Sequence, residues 1–102
     1  MFDFEQSRVF AIWLDSLKDT LGKARIIARI KAAEHGNFGD CAPVGASVHE
    51  MRVHHGPGYR IYFTRRGEVV YLLLVGGDKS TQKRDIKRAI QMAQNIGNGS
   101  ES

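Results

Sequence analysis

Between Gln6 and Leu21 the apolar residues Val9, Phe10, Trp13, Leu14, Leu17 and Leu21 recur at steps of three and four, the spacing that gathers them on one face of an α-helix. Ser7 stands where an N-cap belongs. A second helical pattern follows at once, with Leu21, Ala24, Ile27 and Ile30 on one side and Lys23, Arg25, Arg29 and Lys31 mostly on others. It is expected to stop near His35-Gly36-Asn37, because glycine suits a left-handed C-terminal cap. Two helices with so short a link pack most simply as an antiparallel hairpin.

The period then changes. Residues 37–45 contain Gly39, Asp40, Pro43 and Gly45 with few periodic apolar positions, which predicts a loop. Val48 to His54, Tyr59 to Thr64 and Glu68 to Val75 are short runs rich in β-branched and aromatic residues, separated by His55-Gly56-Pro57-Gly58 and Arg65-Arg66-Gly67. These spacings suit hairpins in a mostly antiparallel sheet of three strands, to which Phe2 to Glu5 adds a fourth. Val69 to Val75 is apolar on both alternations and reads as the central strand, covered on both faces. Gly76-Gly77-Asp78-Lys79-Ser80 ends it and leads into a third helix from about Thr81 to Ile96, with Ile86, Ala89, Ile90 and Ala93 as its stripe. The expected fold is α+β, one domain over residues 1–97, with a tail at 98–102 that has nothing to bury and should be disordered.

Charge narrows the choice of partner. Fifteen Lys and Arg against eleven Asp and Glu leave a formal charge of +4, which favours polyanions such as nucleic acid. Cys41 is the single cysteine, so no disulfide forms within the chain and a reducing compartment is expected. The start Met1-Phe2-Asp3-Phe4-Glu5 lacks the basic and apolar segments of a signal peptide, and the longest apolar run is far below the roughly 20 residues of a membrane-spanning helix. A cytoplasmic protein without membrane attachment is the expectation.

Candidate chemistry sits in the second half. Along Val48 to His54, Met51 and Val53 point one way and Glu50, Arg52 and His54 the other. By the same alternation Ile61 and Phe63 face inward, leaving Arg60 and Tyr62 opposite. If the intervening turn closes a hairpin, Arg52, His54 and Arg60 converge on one basic patch. A single arginine on a strand is more often a solvated charge or half of an ion pair, and Glu50 is at hand as a partner; convergence is what raises the functional reading. His54 has the side chain suited to proton transfer near neutrality. Gly76-Gly77-Asp78-Lys79-Ser80-Thr81 joins strand to helix, where backbone N–H groups, the helix dipole and Lys79 together would attract a phosphate; the plainer alternative is a tight turn. It is not a nucleotide-triphosphate loop, since Asp78 separates glycine from lysine. His35, Cys41, His49, His54 and His55 show no metal-ligand spacing, so no metal and no cofactor is expected. Lys83, Arg84, Lys87 and Arg88 form a basic face on the third helix, a solvated surface or an added grip on RNA phosphates.

Glu50-x-Arg52, Gly56-Pro57-Gly58-Tyr59-Arg60-Ile61-Tyr62-Phe63 and Leu73-Leu74-Val75-Gly76-Gly77-Asp78-Lys79-Ser80-Thr81-Gln82, with Asp85-Ile86 and Ala89, carry a resemblance. Together with Ala24-Arg25-Ile26, Ala28-Arg29-Ile30 and Gly36-Asn37-Phe38-Gly39-Asp40, the set resembles the HigB-type, phage-derived Gp49-like "addiction module killer protein" branch of the RelE/ParE toxin superfamily. That resemblance implies a helical hairpin on a small antiparallel sheet with a C-terminal helix. It implies the toxin of a type II toxin–antitoxin pair, cutting mRNA on the ribosome with basic residues and held by a cognate helix-turn-helix, HigA-like antitoxin. By position, Arg52, Arg60 and Lys79 match the family's phosphate-binding and transition-state positions, while His54 is a candidate base on chemical grounds alone. Tyr59, Tyr62, Gly77, Ser80, Gln82 and Lys83 fall where substrate contacts are expected. Where some members carry a catalytic tyrosine or histidine at the start of the last helix, this chain has Gln82, Lys83, Arg84 and Asp85. The superfamily also includes gyrase poisons that cut no RNA, and a non-catalytic RNA- or protein-binding module is a further alternative.

Overall fold

A computed structural model describes residues 1–97; the expectation for 98–102 lies outside the described residues. The order is β1 (Asp3–Gln6), α1 (Arg8–Ser16), α2 (Thr20–Glu34), β2 (Cys41–Gly45), β3 (Val48–Val53), β4 (Tyr59–Arg66), β5 (Val70–Asp78), a 3₁₀ turn (Lys79–Thr81) and α3 (Gln82–Gly97). The strands form one sheet in the order β1-β5-β4-β3-β2, antiparallel except for β1 against β5. The expected α+β arrangement with a C-terminal helix is present. No helix among the described residues is long and apolar enough to cross a membrane.

The first helical stretch is divided where one helix was expected to reach Leu21. Ser7 caps α1 by accepting the Phe10 N–H at 3.0 Å, as its position suggested. The helix ends at Leu17, and Asp19 starts the next by accepting the Gly22 N–H at 2.9 Å. The break rotates the inward face of α2. Its buried residues are Gly22, Ile26, Ile30 and Ala33, whereas Leu21 and Ile27, expected inside, are 56% and 37% exposed.

The sheet has five strands, one more than expected, because residues 41–45 pair with β3 instead of forming a loop. Two residues, Ala46 and Ser47, close that hairpin with positive φ angles of 48° and 64°. Strand β5 runs on through Gly76-Gly77-Asp78, beyond the predicted end at Val75. It is interior, flanked by β1 and β4, and Leu72 to Val75 are buried on both alternations, the double coverage that its unbroken apolar run predicts.

The sheet separates two cores. Phe10 and Leu14 of α1, with Ile26, Ile30 and Ala33 of α2, pack on Met51, Val53, Tyr59, Ile61, Phe63 and Leu73. On the other face Val48, Tyr62, Leu72, Leu74 and Val75 pack against Ala89 of α3, with Ile86 and Ile90 beside it. Burying a side chain such as Phe10 contributes about 1.5–3 kcal/mol, so the alternating apolar positions of β3 to β5 suffice to fix the register. On that face Glu50, Arg60 and Tyr62 are consequently covered, while Arg52 stays partly exposed.

Candidate functional site

The register sets Arg52 directly opposite Arg60 and Glu50 directly opposite Tyr62. All four side chains leave the sheet on the α3 side, away from the core under α1 and α2. The sequence treats Glu50 as a strand-surface residue, yet its side chain is fully buried. It accepts hydrogen bonds from Arg52 Nε at 2.9 Å and from Gln82 Nε2 at 2.7 Å. Arg60 Nε lies 3.9 Å from its second oxygen. A buried carboxylate requires such partners, and here α3 supplies one through its first residue, Gln82. Glu50, by hydrogen bond first and by charge second, holds the Arg52 guanidinium above its usual pKa.

Arg60 is only 8% exposed. Its Nη1 donates to the carbonyls of Gly58 and Tyr59 at 3.3 and 3.4 Å, while its buried Nε finds no hydrogen-bond partner among the described residues. A Cβ placed on Gly58 would lie 3.5 Å from both Arg60 Nη1 and Lys79 Cβ, so this turn lies between the Arg60 guanidinium and the base of the Lys79 side chain. Gly58 itself has φ +79°, a conformation that closes the turn after β3 and favours glycine. Of the three cations named from the sequence, Arg52 and Arg60 share Glu50 and form one patch, and the Lys79 side chain starts near it across this turn.

Asp40 completes its rim. Arg29 of α2 donates to the backbone carbonyls of Phe38 and Arg52, which ties the segment before β2 to β3. Asp40 then accepts from Arg52 Nη1 at 3.3 Å and pairs with His54 Nε2 at 2.7 Å. The bond to His54 is the main reason its carboxyl sits below the usual range, with the charge of Arg52 adding to it. His54 is 70% exposed at the side chain, and its Nδ1 has no partner among the described residues.

Other expected contacts lie elsewhere. Tyr59 points to the opposite face, 5% exposed, and donates its hydroxyl to Asp19 at 2.7 Å, so it cannot reach the patch. Tyr62 lies beneath it, fully buried; its hydroxyl has no hydrogen-bond partner among the described residues, and burial followed by the nearby Glu50 charge raises its pKa well above the phenol range. Gly77 is buried in β5, where a Cβ would meet Asp85 Oδ2 at 1.9 Å. The phosphate cradle expected at Gly76-Gly77-Asp78-Lys79-Ser80 is filled by the chain itself. Asp78 Oδ1 accepts both the Ser80 N–H at 2.8 Å and its hydroxyl at 2.5 Å. The two glycines serve close packing, Gly76 against Trp13 and Gly77 against Asp85, and Ser80 offers no vacant donor, its N–H and hydroxyl both being taken by Asp78. Lys83 is exposed on α3 one residue after Gln82.

Two contributors were not assigned a role from sequence. Asp40 appeared only as a turn former, and Glu50 only as a surface ion-pair partner; the spacing Glu50-x-Arg52, which puts both on one face, was the available signal. Among the described residues, no three His, Cys, Asp or Glu side chains are grouped to hold a metal ion.

These elements define a small α+β protein whose sheet displays a cationic patch organised around a buried carboxylate. The chain belongs to the family described as "Phage derived protein Gp49-like", which it matches over residues 12–96. It is also 48% identical over 88 residues to a protein of Haemophilus influenzae described as "Uncharacterized protein", an alignment covering 86% of this chain and 89% of the relative.

Proposed function

We propose that this protein is the toxin of a type II toxin–antitoxin pair, of the HigB-type branch of the RelE/ParE superfamily, and that it cleaves mRNA at the Arg52–Arg60–Lys79 patch. The observation that carries this reading is the shared buried anion. Glu50 lies between two guanidinium groups, and with Asp40 it sets two carboxylates against the three cations Arg52, Arg60 and Lys79, so the patch keeps an excess positive charge that a phosphodiester would balance. Membership of the Gp49-like family and the +4 net charge support it.

In this mechanism Arg52 and Arg60 hold the scissile phosphate through guanidinium N–H groups not engaged by the protein. His54, its Nε2 occupied by Asp40, takes the ribose 2′-OH proton on Nδ1. The 2′-oxygen attacks phosphorus, the bond to the 5′-oxygen breaks, and Lys79 protonates that leaving oxygen, giving a 2′,3′-cyclic phosphate and a 5′-OH. Fixed cations stabilise the extra charge of the transition state without having to reorganise. Cytoplasmic mRNA on the ribosome is the proposed substrate and a helix-turn-helix antitoxin the proposed inhibitor.

The test is induction of the protein in a bacterial host followed by sequencing of mRNA ends. Cuts ending in cyclic phosphate, accumulating within translated frames, are expected. Growth arrest with an SOS response and intact mRNA would replace the nuclease with a gyrase poison, and unimpaired growth would leave a binding module.

A further inference from the structure

A trough of about 260 Å³ lies between α1 and α3, lined by Val9, Ile12, Trp13, Gly76, Arg84 and Arg88, among others. We propose that it seats an acidic amphipathic helix of a partner protein. Val9, Ile12 and Trp13 stand at i, i+3 and i+4 on α1 and make an apolar ridge, and Ile12 is 61% exposed, unusual for an isoleucine with no partner. Arg84 and Arg88, at i and i+4 on α3, form the opposite wall. Both are exposed; Arg84 leans on Asp85 at 3.4 Å, and Arg88 has no ion-pair partner among the described residues.

Each feature removes an alternative occupant. Nucleic acid is served by the arginines but leaves the isoleucine and tryptophan ridge uncovered. A second copy of this +4 chain would set one basic surface against another. An added strand needs an open sheet edge, and beyond Leu73, where the pairing with β1 ends, α1 packs along β5 with Trp13 against Gly76. A third helix satisfies its own backbone, fills a groove between two helices at ordinary packing distance, and meets both walls when apolar residues face α1 and carboxylates face α3. Trp13 is the chain's one tryptophan, so the trough carries its own reporter.

The experiment titrates the full chain with a synthetic helical peptide bearing leucines at i, i+3, i+4 and i+7 flanked by glutamates. Controls are the same peptide with the glutamates changed to lysine, and one with the leucines changed to serine. Trp13 fluorescence should shift saturably with the acidic peptide alone. Ile12→Asp and the double change Arg84→Glu, Arg88→Glu should each weaken binding at least tenfold, and the lysine peptide should bind the charge-reversed chain. Because these side chains are exposed, the variants should keep the parent's circular dichroism and melting transition. Equal binding of acidic and basic peptides, indifference to Ile12→Asp, or an unresponsive Trp13 would overturn the proposal. So would a single-stranded oligonucleotide, or self-association at high concentration, producing the same Trp13 shift with loss on Arg88→Glu. None of these readouts involves RNA cleavage, so the trough and the nuclease stand or fall separately.

Discussion

Arg52 and Arg60 face each other across adjacent antiparallel strands, and the carboxylate of Glu50 lies between their guanidinium groups, 2.9 Å from one Nε and 3.9 Å from the other. The two arginines differ in freedom. Arg52 is about one-third exposed at the side chain and held by Glu50 and Asp40, whereas Arg60 is buried and held by Glu50 and its own turn. A cation kept at depth cannot rehydrate when its counter-charge is lost, so Glu50 matters to the fold as well as to the patch.

Glu50→Gln is accordingly expected to destabilise the protein by about 3–5 kcal/mol, since it removes one member of a buried charged group and leaves the other members in place. Urea denaturation should show a lower midpoint at unchanged slope. An unaltered midpoint would mean that Arg60 draws its compensation from elsewhere.

Arg60→Ala tests chemistry more than stability, because Arg52 and Gln82 still satisfy Glu50. Loss of a preorganised donor to a developing negative charge commonly lowers rate by about 10²- to 10³-fold. Cleavage of a reporter mRNA should fall by that order and growth after induction should recover, while circular dichroism stays native. Lysine at the same position should not restore activity, having neither the planar fork nor the reach to Glu50. A folded Arg60→Ala chain that still arrests growth would remove this patch from the mechanism.

Much of this arrangement was legible in the chain. Period-two alternation alone put Arg52 with Glu50, and Arg60 with Tyr62, on one side of the sheet, and the structure brings Arg52 and Arg60 into register. What alternation cannot give is depth. Whether the polar face of β3 and β4 is wet depends on α3 crossing it, a tertiary fact that turned Glu50 from a surface partner into a buried hub. The same limit applies to Tyr59, an aromatic next to an arginine that reads as a contact residue until Asp19, forty positions away, is found to hold its hydroxyl. Residues 41–45 were missed as a strand because Pro43 and Gly45 are turn formers; they occur in an edge strand, where a missing N–H is tolerated.

The turn joining β2 to β3 offers a stabilising change. Ala46 and Ser47 both adopt positive φ, which costs L-residues with a Cβ roughly 1 kcal/mol or more each and is the conformation Asn-Gly prefers. Replacing Ala46→Asn and Ser47→Gly should raise stability by about 1 kcal/mol, read as a higher melting temperature. The Ser47 carbonyl that receives the Thr64 hydroxyl belongs to the backbone, so that bond survives the exchange.

Alkaline titration isolates Tyr59. Burial, followed by the hydrogen bond to Asp19, lifts its pKa from 10.0 to about 12 in the folded chain. A raised acid binds its proton more tightly when folded, so its contribution is fully present below pH 10 and declines as pH climbs from 10 to about 12, the interval in which the unfolded chain ionises first. Tyr59→Phe removes both the titrating group and the bond to Asp19, so its stability should fall less steeply across that interval than the parent's. Tyr62 is raised as well but is common to both proteins, so subtracting the two profiles leaves the contribution of Tyr59. Parallel profiles would mean that the Tyr59 hydroxyl is solvated and that Asp19 does not anchor β4 to the start of α2.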